Sequence, residues 1–161
     1  MAEQTEINAI YLDYGEAFLA PKAKTLYDLI VQQGTELHAQ LGAITPSNCT
    51  SILLLLETHK TLSAVQIAQK LGKSHQLISQ RINKLEKLEL VTRHSNDADK
   101  RSKVVSLTDL GASDLAVIKQ ACHIADKHFQ KLYRALDINI GQVLDLMTET
   151  LKQMPLASST K

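Results

Sequence analysis

The sequence predicts a mainly α-helical protein with one small β-hairpin, on three observations. Ser63 to Leu88 reads as two helices joined by a tight turn, and two β-prone runs follow around a turn-rich centre. Apolar residues recur at three- and four-residue steps through both flanks. Helix, turn, helix, hairpin is a winged helix-turn-helix, here flanked by N- and C-terminal helices whose apolar faces suit dimerisation.

Ile7, Tyr11, Tyr14 and Phe18 outline a first helix that Pro21 ends, and Leu26, Ile30, Leu37 and Leu41 trace a second that stops at Gly42. Thr45-Pro46 reads as a helix start. The run Ile52-Leu53-Leu54-Leu55-Leu56 has strand propensity, but its place between Thr45-Pro46 and Ser63 favours a helix covered on most sides.

Ser63-Ala64-Val65-Gln66 is a capping box, in which the serine hydroxyl and the glutamine side chain each satisfy an amide at a helix start. Ile67, Ala68 and Leu71 lie on one face of this short helix, and Gly72 ends it where a turn wants no β-carbon. Ser74 caps the next helix, whose apolar positions Leu77, Ile78, Ile82, Leu85 and Leu88 form one stripe. Ser74, His75, Gln76, Ser79, Gln80, Asn83, Lys84 and Lys87 form its polar side, whose hydroxyls, amides, imidazole and ammonium groups can hydrogen-bond base edges or phosphates of double-stranded DNA.

Leu90 to Ser95 and Ser102 to Leu107 are the β-prone runs, around Asn96-Asp97-Ala98-Asp99. The tip carries Asp99-Lys100-Arg101. An arginine held extended by a neighbouring carboxylate can enter a minor groove, whose negative potential attracts it. Thr108 then caps a long helix bearing Leu115, Ile118, Cys122, Ala125, Phe129, Leu132 and Leu136 as a heptad-like seam. Asp137 is positioned to cap a last helix with Ile140, Val143, Leu144, Met147, Leu151 and Met154, which Pro155 stops. Leu156 to Lys161 reads as a disordered tail, and the first five residues as a fraying end.

These residues resemble the MarR family of transcriptional regulators, whose wing reads Asp-x-Arg-Asp-x-Arg before a strand ending in Leu-Thr, with Gly three residues later. Asp99-Lys100-Arg101, Leu107-Thr108 and Gly111 match; Asn96-Asp97-Ala98 lacks the first arginine. The resemblance extends over Ser63 to Leu88 and, in outline, over both flanks. Arg81 departs from it, standing where the family is usually apolar, so that either its stem packs and its head emerges or it contacts the DNA backbone. The resemblance implies one domain over residues 1–161, with a DNA-binding lobe at 45–108 and dimerisation helices at 6–42 and 109–154. It also implies a homodimer repressing from a pseudo-palindromic operator, relieved by a small-molecule effector held between lobe and dimer helices. Tyr27, His38 and Tyr133 are candidate polar groups of that pocket, or else core and rim. Some members bind zinc, and His38, His59, His123 and His128, four of the six histidines, are the side chains to weigh for it against the reading that they are ordinary surface histidines; no metal or cofactor is expected.

Composition agrees. With 161 residues, 44% of them hydrophobic, the chain can build a proper core, and no run approaches the roughly 18 apolar residues of a membrane span. The acidic start Met1-Ala2-Glu3-Gln4-Thr5-Glu6 is unlike a signal peptide, which makes the cytoplasm the default and leaves Cys49 and Cys122 as thiols, read as buried in helices, with no flanking cations to suggest redox sensing. The net charge is only +1, but Lys70 to Lys103 holds nine cations against four carboxylates, leaving +5 there and −4 elsewhere. A basic lobe on an acidic body is the footprint of a face that meets phosphate. Enzyme signatures are missing: no glycine-rich phosphate loop, no His-Glu-x-x-His and no Gly-x-Ser-x-Gly. A helical protein-interaction scaffold would explain the heptads but not the wing, and a metal- or redox-sensing regulator is the other alternative.

Overall fold

A computed structural model describes residues 15–96 and 99–160, with side chains for all of these except 96, 99–102, 159 and 160. After a 3-10 turn at Gly15–Phe18 come α1 (Leu19–Gln40), a 3-10 turn at Ser47–Cys49, α2 (Thr50–His59), β1 (Thr61–Leu62), α3 (Ala64–Leu71) and α4 (His75–Lys87). The chain continues through β2 (Val91–Asn96), β3 (Asp99–Leu107), α5 (Asp109–Leu136), α6 (Ile140–Gln153) and a 3-10 turn at Leu156–Thr160. Residues 15–121 and 122–160 fall in two compact units.

In the first unit one core serves α2 to α5 and the sheet. Cys49, Ile52, Leu53, Ile67, Ile78, Ile82, Leu85, Leu90 and Ile118 are completely buried there. The leucine-rich run is helical, as expected, because Ile52, Leu53 and Leu56 all find cover while Leu54 and Leu55 pack partly. Thr45-Pro46 does not start α2 directly: a 3-10 turn at Ser47–Cys49 intervenes, closed by the Cys49 amide donating to the Pro46 carbonyl (2.8 Å). The hairpin runs in antiparallel register, Val91 opposite Leu107 and Arg93 opposite Val105, with a shift between Ser95 and Asn96. β1 is an addition that propensity did not announce. Its two residues pair antiparallel with Val105 and Ser106, giving the strand order β1-β3-β2.

Several sequence expectations need correction. Pro21 does not end a helix; it lies in the first turn of α1, where its missing amide has no intrahelical partner to lose. Ile7, Tyr11 and Tyr14 lie outside the described residues. Unforeseen, too, was Asp114 of α5, only 4% exposed, which accepts hydrogen bonds from the amides of Ile44 (2.8 Å) and Thr45 (2.9 Å) and so ties the chain after α1 to α5.

In the second unit Asp137 is not the cap of α6. It takes a left-handed conformation (φ 53°), Ile138 donates back to the Tyr133 carbonyl (3.1 Å), and Asn139 caps by accepting from the Gln142 amide (3.1 Å). The segment read as a disordered tail forms a 3-10 turn, because the Ser158 amide and hydroxyl both donate to the Pro155 carbonyl (2.9 and 2.6 Å). Cys122 is exposed rather than buried, whereas Leu115, Ile118 and Ala121 on the same helix are buried. Among the described residues no helix is long and apolar enough to cross a membrane.

Candidate nucleic-acid interface

The helix-turn-helix is held by the devices its sequence encodes. The Ser63 hydroxyl accepts from the Gln66 amide (3.3 Å), and the Gln66 side chain accepts from the Ser63 amide (2.8 Å). Gly72 adopts φ 60°, which lets the Lys73 amide reach the Ala68 carbonyl (3.0 Å) and closes α3 in a Schellman turn. Ser74 then accepts from the Leu77 amide (3.3 Å), and α4 starts on the far side of the turn. Ile78, Ile82 and Leu85 are fully buried, so the opposite face of α4 is fixed outward by packing and not by propensity.

That outward face carries the predicted residues. His75, Gln76, Gln80, Asn83, Lys84 and Lys87 are exposed, as is Ser74, while Ser79 is half-buried. Asn83 has a partner: its Oδ1 accepts from Arg93 Nη2 (2.6 Å), and Arg93 Nη1 pairs with Glu86 at 3.1 Å. Only the Asn83 amide donors stay available to DNA. Arg93 and Glu86 escaped sequence reasoning, although the spacing of Asn83 and Glu86, three apart on one helix face, was a usable signal. Together they fasten the first strand of the hairpin to α4, a join that fixes where the wing begins relative to the helix. The backbone of Asp99, Lys100 and Arg101 forms the start of β3, but their side chains lie outside the described ones, as does all of Asp97 and Ala98.

Arg81 is half-buried: it lines a cavity beside α1, with its Nε buried, and Tyr27 and His38 line the same cavity. Tyr133 does not; it belongs to the second unit, where its ring stacks on Phe129. Burial pushes the Cys49 thiol up, against a smaller opposing pull from Arg81 and Lys84, so Cys49 is a poor thiolate and a poor oxidant sensor. Among the described residues no three His, Cys, Asp or Glu side chains gather as a metal site, and the four histidines weighed for zinc are not brought together.

Capped helix, tight turn, packed second helix and three-stranded wing define a winged helix-turn-helix protein. The model of the MarR family matches residues 44–102 of the chain. It is 31% identical over 102 residues to the uncharacterized HTH-type transcriptional regulator YfiV of Bacillus subtilis (strain 168), covering 63% of this chain and 55% of that one. The chain therefore spans about half the length of this curated relative. Among solved structures, the transcriptional repressor CouR bound to a 23-mer DNA duplex is similar at a TM-score of 0.64 and 26% identity, over 88% of this chain and 95% of that one. Reduced AbfR bound to DNA has the same fold at a TM-score of 0.64 and 20% identity, over 94% of this chain and 98% of that one.

Proposed function

We propose that this protein is a homodimeric transcriptional regulator that binds a pseudo-palindromic operator, acts as a repressor and is relieved by a small ligand. The observation that carries the reading is the exposed polar face of α4, backed by a fully buried stripe and joined through Asn83, Glu86 and Arg93 to the wing. The DNA-bound repressor CouR, at 26% identity, supports it. On this reading residues 45–108 are the DNA-binding lobe and 6–42 with 109–154 the dimerisation helices of one domain. Dimerisation draws support from exposed apolar rows: none of α1 or α6 is buried, and Leu29 (49%), Leu144 (50%) and Leu151 (47%) are open to solvent within the single chain. Two-fold symmetry then sets the half-sites about 34 to 36 Å apart.

The test is selection of bound sequences from a random DNA pool, followed by affinity measurements on the selected site across salt. The motif should be two-fold symmetric, and the logarithm of affinity should fall linearly with the logarithm of salt, by about 0.9 per phosphate contacted. Affinity indifferent to salt, or a monomer in sedimentation with DNA present, would refute the reading.

Specificity and affinity should separate by residue. Gln76 and Gln80 open the exposed face of α4, where an amide can bridge N6 and N7 of adenine, so replacing either by Ala should relax one base pair by roughly 1 to 3 kcal/mol. Arg101→Ala should weaken many sequences alike and shrink the salt slope, and Asp99→Ala should add little to it, since the carboxylate acts by orienting the arginine. Additive losses in that double-mutant cycle would remove the wing from the mechanism.

A further inference from the structure

The second half of α5 carries a row of cations that the α4 interface does not use. His123, Lys127, Gln130, Lys131 and Arg134 recur at helical spacing and share one side of the helix. All five are exposed, and Lys127, Gln130, Lys131 and Arg134 line a depression of about 300 Å³. Ala125, Phe129, Leu132 and Leu136 run along the opposite side, so a chain packed on that seam leaves the row in solvent. No carboxylate stands in the row; Asp126 lies at its edge. Among the described residues Lys127, Lys131 and Arg134 form no ion pair, whereas Lys22, Lys24, Lys119 and Lys152 each have a carboxylate partner. Outside Lys70 to Lys103 the chain has nine cations against thirteen carboxylates, and three of the nine are gathered here. Like charges three and four residues apart repel, so the row slightly weakens its own helix until an anion lies along it.

We propose that this row is a second contact for double-stranded DNA, holding the phosphate backbone by charge alone and without sequence preference. A protein partner needs apolar or aromatic anchors at the centre of its interface, and the row offers none. Single-stranded nucleic acid is held by stacking on aromatic side chains, and no Phe, Tyr or Trp stands in the row. Cations and an amide donor along one exposed helix side suffice for duplex phosphates, which fix position and carry no base information. The row belongs to the second compact unit and the proposed base-reading groups to the first, so the chain carries two DNA-contacting faces. The inference deepens the DNA-binding reading above and takes from it the identity of the polyanion.

The test compares two triple variants of the full chain that lose the same net charge. One combines Lys127→Gln, Lys131→Gln and Arg134→Gln; the control combines Lys22→Gln, Lys24→Gln and Lys152→Gln. All six positions are exposed and glutamine is a good helix former, so both should fold. Affinity for a random-sequence duplex is measured across salt. The row variant should lose about 0.9 from the salt slope for each phosphate contact removed, up to about 2.7 per chain, while the control keeps the parent's slope. The motif selected from a random DNA pool should be the same for parent and row variant, since backbone contacts carry no sequence information. An unchanged slope in the row variant, an equal fall in the control, or a larger loss of binding to phosphatidylglycerol vesicles or single-stranded RNA than to duplex would each overturn the assignment. The two readings fail separately. A selected motif with an unchanged slope sinks the row alone, and duplex binding that depends on the row but selects no motif sinks the regulator reading alone.

Discussion

Gly111→Ala should destabilise the protein by about 3 kcal/mol or more, the upper range for forcing an atom into a filled core. A β-carbon at this position would overlap the Leu90 carbonyl oxygen and lie 2.9 Å from the carbonyl carbon. That carbonyl has nowhere to go. Leu90 is fully buried, its oxygen accepts from the Thr108 amide (3.1 Å), and the Thr108 hydroxyl donates to the Glu89 carbonyl (2.6 Å) while accepting from the Gly111 amide (3.0 Å). In an open helix the same change would be favourable by about 1 kcal/mol. Gly34 of α1 provides that control, because an added β-carbon there meets nothing within 4 Å. Denaturant midpoints should therefore move in opposite directions, down for Gly111→Ala and slightly up for Gly34→Ala. A Gly111→Ala midpoint equal to the parent's would show that the end of α4 and the start of α5 are not locked together.

Asp114→Ala should be comparably damaging, for an electrostatic reason instead of a steric one. It leaves the amides of Ile44 and Thr45 without their acceptor, and Thr45 is only 1% exposed, so water cannot readily replace the carboxylate. Each stranded amide costs about 1 to 3 kcal/mol. Asp114→Asn should fall between parent and Ala, since its single carbonyl oxygen can serve one amide while its NH2 faces the other. Stability measured by unfolding should follow the order Asp, Asn, Ala, with hydrogen exchange at Ile44 and Thr45 accelerating in the same order. Equal stability for all three would mean that α5 does not hold the entry to the lobe through this carboxylate.

Both residues show where sequence reading succeeds and stops. Gly111 was visible as the glycine three positions after Leu107-Thr108, yet the reason for it, a backbone contact with Leu90 some twenty positions earlier, belongs to no local pattern. Asp114 looked like one more polar residue on a helix, because its partners lie about seventy positions away. Arg93 read as part of a strand, and only folding brings its guanidinium to Asn83 and Glu86. Arg81 could be flagged as out of place but not located. The cap of α6 went to Asn139 instead of Asp137 because two Asx-type candidates two residues apart differ only in which one the preceding helix end leaves in an extended conformation.

What the sequence by itself determined was everything set within about a helical turn: the capping box at Ser63, the turn at Gly72, the cap at Ser74, the buried stripe of α4, the hairpin and the cap at Thr108. Those features depend on hydrogen bonds and apolar spacing between near neighbours, and near neighbours can be read off a string. Folding decided which polar atoms acquired partners: the carboxylate of Asp114 two distant amides, Arg93 a place on α4, and Arg81 Nε none among the described residues. A side chain's type fixes what it can bond, but its burial and its partner are set by the packing of segments far apart in the chain.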